Sequence, residues 1–294
     1  MEVMKFKATL ILLTASFMCL SGCNPKPAGK AESNIQYTSI QLSHNAHFFD
    51  NPDNPGSELQ AGFLYPVAGL NPGLLATVQR LFVVEFFGDN YADLSPEEAA
   101  KNYKEQYLAF YGEQEKYFKE ESERQPVAEV DDIEEDLLDE ISSAAYSYYE
   151  KKENVVTFEN SLILSFAVSV ENYSGGAHGS HSYTCCNIDL STGKKIEEPD
   201  IFVDGFEIRM AKIIVDKLTK EHKLSGAKEL EEIGFFSVEE VFPNNNFAID
   251  DKGITYYFNE YEIAAYAVGL IAVQISFDEL KPLLRSDSAI KAFI

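Results

Sequence analysis

The chain has 294 residues, 45% of them hydrophobic and 13% aromatic, which is enough apolar material for one large or two ordinary domains and too much for a disordered polymer. Its 48 acidic and 24 basic side chains leave a net charge of -24, a balance that disfavours binding to the phosphate backbone of nucleic acid. The cysteines are Cys19, Cys23, Cys185 and Cys186, too few for the disulfide framework of a small secreted scaffold, so an apolar core must hold the fold.

The N-terminus reads as an export signal. Lys5 and Lys7 precede a largely apolar run from Ala8 to Leu20, and Ser21-Gly22-Cys23 supplies a small-residue cleavage site. The run is about 13 residues long, whereas a helix needs about 20 to span a bilayer, which argues against a permanent transmembrane segment. Leu20-Ser-Gly-Cys23 resembles a bacterial lipobox, and that resemblance implies cleavage before Cys23 and acylation of its thiol. Each buried methylene contributes about 0.8 kcal/mol, so two or more acyl chains anchor a protein durably. Residues 1–22 are thus expected to be a signal peptide and 23–34, with Pro25, Pro27 and Gly29, a lipidated tether.

Beyond the tether, Ile35 to Phe49 and Leu59 to Tyr65 read as strands separated by the turn-forming Asn51-Pro-Asp-Asn-Pro-Gly56. Asn71-Pro72 supplies an N-cap and a proline at the first helical position, predicting a helix over about 72–87 with Leu74, Leu75, Val78, Leu81 and Phe82 at helical spacing. Ser95-Pro-Glu-Glu98 is a capping box that opens a second helix, whose Ala99, Tyr103, Tyr107, Phe110, Tyr111 and Phe118 form one face, expected to be core. A third helix is expected after Pro126, with Val127 through Tyr148 at steps of three and four. Its acidic opposite face, Glu129 to Glu140, reads as solvated rather than as a calcium loop, because helical spacing does not supply a tight turn of alternating oxygen ligands.

After Asn154 the period changes to two. Val155 to Phe158, Leu162 to Val170 and Tyr183 to Leu190 read as strands, the last closed by the turn Asp189-Leu-Ser-Thr-Gly193. Asp204 and Glu207 are expected to cap a helix running to about Lys223, with Ile208, Ala211, Ile214, Val215 and Leu218 inward. Phe247 to Ile249 and Ile254 to Phe258 flank the hairpin turn Asp250-Asp-Lys-Gly253, and a strand from Gly269 to Ser276 precedes a short helix from about Asp278 to Leu284. Strands and helices mix without regular βαβ alternation, which predicts an α+β fold with a largely antiparallel sheet, packed helices and two closely associated halves.

The densest cluster of chemically able residues is Tyr173-Ser-Gly-Gly-Ala-His178-Gly-Ser-His181, followed by Cys185-Cys186. On a strand Cys185 and Cys186 point to opposite faces, so they do not readily share a metal with His178 and His181, and no metal or other cofactor is expected. Gly175, Gly176 and Gly179 are expected to adopt conformations closed to other residues, with His178 bonded to the backbone. No nucleophile elbow or phosphate loop occurs, and catalysis has no motif to support it.

Tyr173-Ser-Gly-Gly-Ala-His178-Gly resembles the Tyr-Thr-Gly-Gly-Ala-His-Gly signature of the envelope domain pair DUF4163 and DUF3298. Ile188-Asp-Leu-Ser-Thr-Gly-Lys194, Gly253-Ile-Thr-Tyr-Tyr-Phe-Asn259 and Tyr261-Glu-Ile-Ala-Ala-Tyr-Ala-Val-Gly269 are similar to its further segments, with departures at Ala265 and Ser276, where the family commonly has proline. The resemblance implies a DUF4163-like region over 35–198 and a DUF3298-like region over 199–294, together forming a non-catalytic extracytoplasmic module. Relatives include the ectodomain of a lysozyme-sensing anti-sigma factor and the region before the catalytic domain of a cell-wall deacetylase. The deacetylase's metal motifs and a sigma-binding segment have no counterpart in this sequence, so neither activity is expected.

The expectation is therefore an extracytoplasmic lipoprotein, tethered to a bacterial membrane through lipid on Cys23, with the outer membrane favoured over the inner. It would recognise an envelope glycan or other envelope component, or a basic protein such as lysozyme. The loops 173–181 and 259–266 are the candidate binding elements, through Tyr173, Gly175, Gly176, His178, His181, Tyr261, Glu262 and Tyr266. The rival readings are a glycan-modifying enzyme that pairs His178 with a carboxylate in a cleft, and an envelope scaffold without a small ligand.

Overall fold

The computed structural model describes residues 33–123, 146–176 and 178–291. Cys23, the tether's first ten residues and the third expected helix, with its acidic face, lie outside them, apart from the helix's last expected residues. Tyr148, placed on that helix by its spacing, instead opens a strand: residues 148–153 pair on both sides, and this pairing outweighs the helical pattern of the sequence before them.

Six strands form the first sheet in sequence order: β1 (Gln36–His47), β2 (Gly56–Ala68), β3 (Tyr148–Glu159), β4 (Ile163–Ser174), β5 (Ser180–Asp189) and β6 (Lys194–Lys195). All neighbours are antiparallel except β2 and β3, which run parallel because the chain between them passes through α1 (Pro72–Phe87) and α2 (Pro96–Ser122). Both helices begin as the sequence predicts. The Asn71 side chain accepts from the Leu74 amide, and Ser95 and Glu98 form a reciprocal capping box.

Alternation along the strands gives the sheet two unlike faces. Leu59, Phe63, Leu164, Phe166 and Ile188 point toward the helices, where they join Val78, Phe82 and Phe86 in a fully buried core. Its centre is aromatic, with Phe82 stacked on Phe166 at 4.0 Å between ring centroids and Phe86 against Phe63 at 4.9 Å. Tyr103 and Tyr107 of α2 pack against this core as expected, but Phe110 is 45% exposed, because the inward stripe runs on through Tyr111, which packs on Phe48, and leaves Phe110 to one side.

The second half has its own core. A three-stranded antiparallel sheet, β7 (Phe247–Ile249), β8 (Gly253–Phe258) and β9 (Ile271–Ser276), packs with α3 (Glu198–Ile201), α4 (Glu207–Glu221), α5 (Glu229–Glu232) and α6 (Phe277–Leu280) around Met210, Ile214, Leu218, Tyr256 and Phe258. Two expectations for α4 fail. Its N-cap is Phe206, with no side-chain cap, and Ile208 is 77% exposed while Met210 is fully buried. The chain enters α4 through a turn at Gly205, and this rotates the helix so that positions 210, 214 and 218 make the stripe, a choice that Ile208, Met210 and Ile213 left open in sequence.

The halves meet along β5, and side-chain amides make much of the join. Asn187 accepts from the Ile249 amide at 2.9 Å and from Ser165 Oγ at 2.7 Å, while its own amide donates to the Phe247 carbonyl at 2.7 Å. Asn246 accepts from the Cys185 amide at 2.8 Å and donates to the Tyr183 carbonyl at 2.8 Å. Asn259 accepts from the Tyr183 amide at 2.7 Å. Each amide group supplies a donor and an acceptor where no backbone ladder reaches across. Apolar surface is shared there as well: Ala167, Cys185 and Ala248 form a small buried cluster beside Tyr183 and Tyr257, and Ile163 of β4 and Ile196 pack into the second half's core.

Candidate functional site

The β4–β5 hairpin tip belongs to the first half and the loop after β8 to the second, and the fold brings them together. The tip turns through Gly175 and Gly176, whose φ values of 89° and 100° are accessible to glycine and costly for other residues. Tyr173 Oη closes that turn by donating to the Gly176 carbonyl at 2.8 Å. Gly179, expected to share this conformation, does not have a positive φ. It is confined by space instead, since a Cβ there would come within 2.9 Å of both the Asn172 carbonyl oxygen and the Tyr149 hydroxyl.

His178 is exposed and lies flat on Tyr266, with centroids 4.0 Å apart and planes 26° from parallel. Its Nδ1 is 2.8 Å from the Gly179 carbonyl oxygen. A carbonyl only accepts, so Nδ1 carries the proton, and Nε2 of the neutral ring is left to accept from Tyr261 Oη at 3.3 Å. Tyr266 Oη donates to the same Gly179 carbonyl at 3.1 Å. Desolvation, followed by the nearby charge of Glu260, raises the pKa of Tyr266 and keeps this donor protonated. Three rings from two loops, His178, Tyr261 and Tyr266, thus form one ledge. Tyr261 reaches it with a left-handed backbone, φ 64°, and 56% of its surface exposed.

Beside the ledge His181 is joined to Glu260, which accepts from Nδ1 at 2.8 Å and from the His181 amide at 3.1 Å. The Glu260 side chain is 11% exposed, so this bond is better shielded than a surface ion pair. Glu262 braces the loop from within, accepting from Asn244 at 2.6 Å and from Asn259 at 3.3 Å.

Of the residues singled out in the sequence, Tyr173, Gly175, Gly176, His178, His181, Tyr261, Glu262 and Tyr266 all fall in this one region, whereas Cys23 lies outside the described residues. The carboxylate nearest in chemistry, Glu260, bonds His181 rather than His178, and among the described residues neither of His178's ring nitrogens bonds a carboxylate. Cys185 and Cys186 face opposite sides of β5 into different clusters. Burial pushes the Cys185 thiol up to about 12 and raises Cys186 as well, so neither is a ready thiolate. Among the described residues no three His, Cys, Asp or Glu side chains are grouped to hold a metal, and no helix is long and apolar enough to cross a membrane.

Sequence reasoning placed Asn259 and Glu260, which join the loops, within the candidate loop without singling them out, and missed Tyr149, which packs beside Tyr173 at 6.1 Å. Asn259 and Glu260 adjoin the signature tyrosine, and their signal was that position alone.

Fold and site together define an α+β protein of two separately cored halves joined at a pair of interlocked loops. Residues 199–278 match the model of the family described as protein of unknown function (DUF3298). No curated protein matches the chain. It is similar to the crystal structure of a DUF3298-family member from Bacteroides fragilis, at 27% identity with a TM-score of 0.78, over 90% of this chain and 99% of that one. A DUF3298-family protein from Pseudomonas aeruginosa shares the fold at a TM-score of 0.57 and 14% identity, over 87% of this chain and 97% of that one.

Proposed function

We propose that this chain is a lipid-anchored extracytoplasmic recognition module, with a DUF4163-like region over 35–198 ahead of the DUF3298 match, and that it binds an envelope component or a basic protein through the joined loops. The observation that carries this reading is the ledge. Two loops from different halves are held together by His181–Glu260, His178–Tyr261 and Tyr266–Gly179, and they present exposed rings on a rigid support. The bonds occupy His178 in positioning, which fits recognition better than proton transfer. A basic protein is favoured by the net charge of -24, which speeds encounter while contacts set specificity. The lipobox supplies the anchor.

Two measurements test the reading. Labelled palmitate should enter the wild-type protein in cells, and Cys23→Ala should abolish both the label and membrane fractionation; an unlabelled, soluble wild type would remove the anchor. Lysozyme binding, followed across salt, should weaken about tenfold or more in His178→Ala and Tyr261→Ala with the fold intact. Binding that tracks only the partner's charge and ignores both substitutions would reduce the interaction to nonspecific electrostatics.

A further inference from the structure

The second half covers only part of the first sheet's helix-free face, the part formed by β4 to β6. The uncovered remainder and the loop after β8 bound a groove of about 920 Å³, near the upper end of the roughly 300–1,000 Å³ typical of ligand sites. On its floor Ser39, Gln41 and Ser43 of β1 lie opposite Leu64, Gly62 and Gln60 of β2. Asn259 and Glu260 form its far wall, so the groove runs directly into the ledge that begins at Tyr261.

The chemistry of the groove narrows what it takes. Pockets for apolar molecules are lined mainly by hydrophobic side chains. Here Leu42 and Ala61 turn their side chains into the core beneath the helices, and the hydroxyls and amides of Ser39, Gln41 and Ser43 lie among the apolar surfaces of Leu64, Tyr183 and Leu270, a mixed lining. The charges are largely matched within the protein. Lys151 pairs with Glu171 at 3.5 Å, Glu260 bonds His181, and the ammonium of Lys152 lies on the other face, 5.3 Å from the Phe86 ring centroid and 5.2 Å from that of Tyr103. Glu153 adds a further carboxylate to the lining, so the groove is mildly acidic, which disfavours an anionic ligand and leaves a neutral one acceptable. The side chains of Ser39, Gln41, Ser43 and Ser182 make no hydrogen bond to other protein groups among the described residues, so their side-chain donors and acceptors are open to a ligand. The β1–β2 ladder beneath the groove is paired, so a ligand lying on the floor meets side chains, whereas an extended peptide would add at the outer edge of β1, which has no partner strand among the described residues.

We propose that this groove binds an uncharged glycan strand. Its hydroxyls would exchange hydrogen bonds with the row Ser39, Gln41, Ser43 and Gln60, and the face of one sugar ring would rest on the ledge at Tyr261 and His178. This rests on the recognition reading above and names the ligand class for the same surface.

The test uses the full chain and two probes, a tetramer of N-acetylglucosamine and a tetramer of glucose, titrated calorimetrically at low and high salt. Gly62→Phe is the informative variant. A Cβ at Gly62 meets only the end of the Gln41 side chain, 3.2 Å away, which can move aside, so the added ring projects into the groove while the strand is kept. Thermal melting checks that the fold survives, and Gln41→Ala is a milder second variant. Binding of either tetramer that changes less than about twofold with salt, and weakens about tenfold or more in Gly62→Phe and measurably in Gln41→Ala, is the expected result. Failure of both tetramers to bind overturns the proposal, as does tetramer binding that ignores both groove variants. If lysozyme binding is lost in His178→Ala and unchanged in Gly62→Phe while no tetramer binds, the recognition reading stands and the groove proposal fails. An uncharged peptide that binds in place of the tetramers also overturns it.

Discussion

The two cores and the seam between them are built from different interactions. Each core is apolar and closely packed: Phe82 on Phe166 in one half, Met210, Ile214 and Tyr256 in the other. The seam also buries apolar groups, the cluster of Ala167, Cys185 and Ala248 and, in the second core, Ile163 of β4, but what sets it apart is the joining by the amides of Asn187, Asn246 and Asn259. Apolar burial is non-directional and roughly proportional to area, so it stabilises a half without fixing how that half meets its neighbour. Hydrogen bonds each contribute a modest net amount, but they have strict geometry and are costly to leave unmade. The seam therefore sets position, and the loops that must meet at the ledge are on it.

The largest stability effect should come from the first core. Phe166→Ala is expected to cost about 3–5 kcal/mol, because the ring is fully buried and its loss leaves a cavity. By contrast Gln41→Ala, on the open face of the same sheet, should stay within about 0.5 kcal/mol. Denaturant midpoints measure both, and comparable losses would break the distinction between the faces.

A smaller loss is expected at the seam. Asn187→Ala strands the Ile249 amide and the Phe247 carbonyl in a buried site, a cost of about 2–3 kcal/mol. The same variant should weaken lysozyme binding although residue 187 is remote from the ledge. A stability loss with binding unchanged would separate the seam from loop placement.

The smallest effect belongs to the edge of the second half and depends on pH. Burial alone would raise the Glu279 carboxyl, but hydrogen bonds from Ser276 and Lys217 outweigh it and hold the group at about 2, below its ordinary 4.5. A depressed folded-state value means the contribution is present above pH 4.5 and is lost as pH falls toward 2. The side chain is 42% exposed, so solvent screening leaves on the order of 0.5–1 kcal/mol. Glu279→Gln should flatten the acid limb of the stability profile by that amount, and a limb unchanged by the substitution would place the acid sensitivity elsewhere.

What could be seen in the sequence follows the range of the interactions involved. Helix α1 was legible because Asn71 and Pro72 act locally, and the Ser95 capping box and the turns at 189–193 and 250–253 are equally local. The two loops were recognised by their signatures, but their meeting was not legible, since it depends on amides that pair residues 61 to 76 positions apart. Asn244-Asn-Asn246 reads as a turn in sequence and serves as a bridge in the fold. The start of β3 was hidden because Glu150, Lys151, Lys152 and Glu153 lack strand character on their own and are held by neighbours on both sides. The groove was illegible for the same reason, being assembled from alternate residues of several separate strands.

The central claim, that the seam is one cooperative unit distinct from the cores, is tested most directly by native-state hydrogen exchange. The amides of Tyr183, Cys185 and Ile249 all donate to side-chain oxygens across the seam. They should become exchange-competent together, at a free energy below that of amides in β4 beneath the helices, and Asn187→Ala should accelerate all three while leaving the β4 amides nearly unchanged. Three unrelated exchange rates, or protection equal to that of the core strands and lost only on global unfolding, would contradict it.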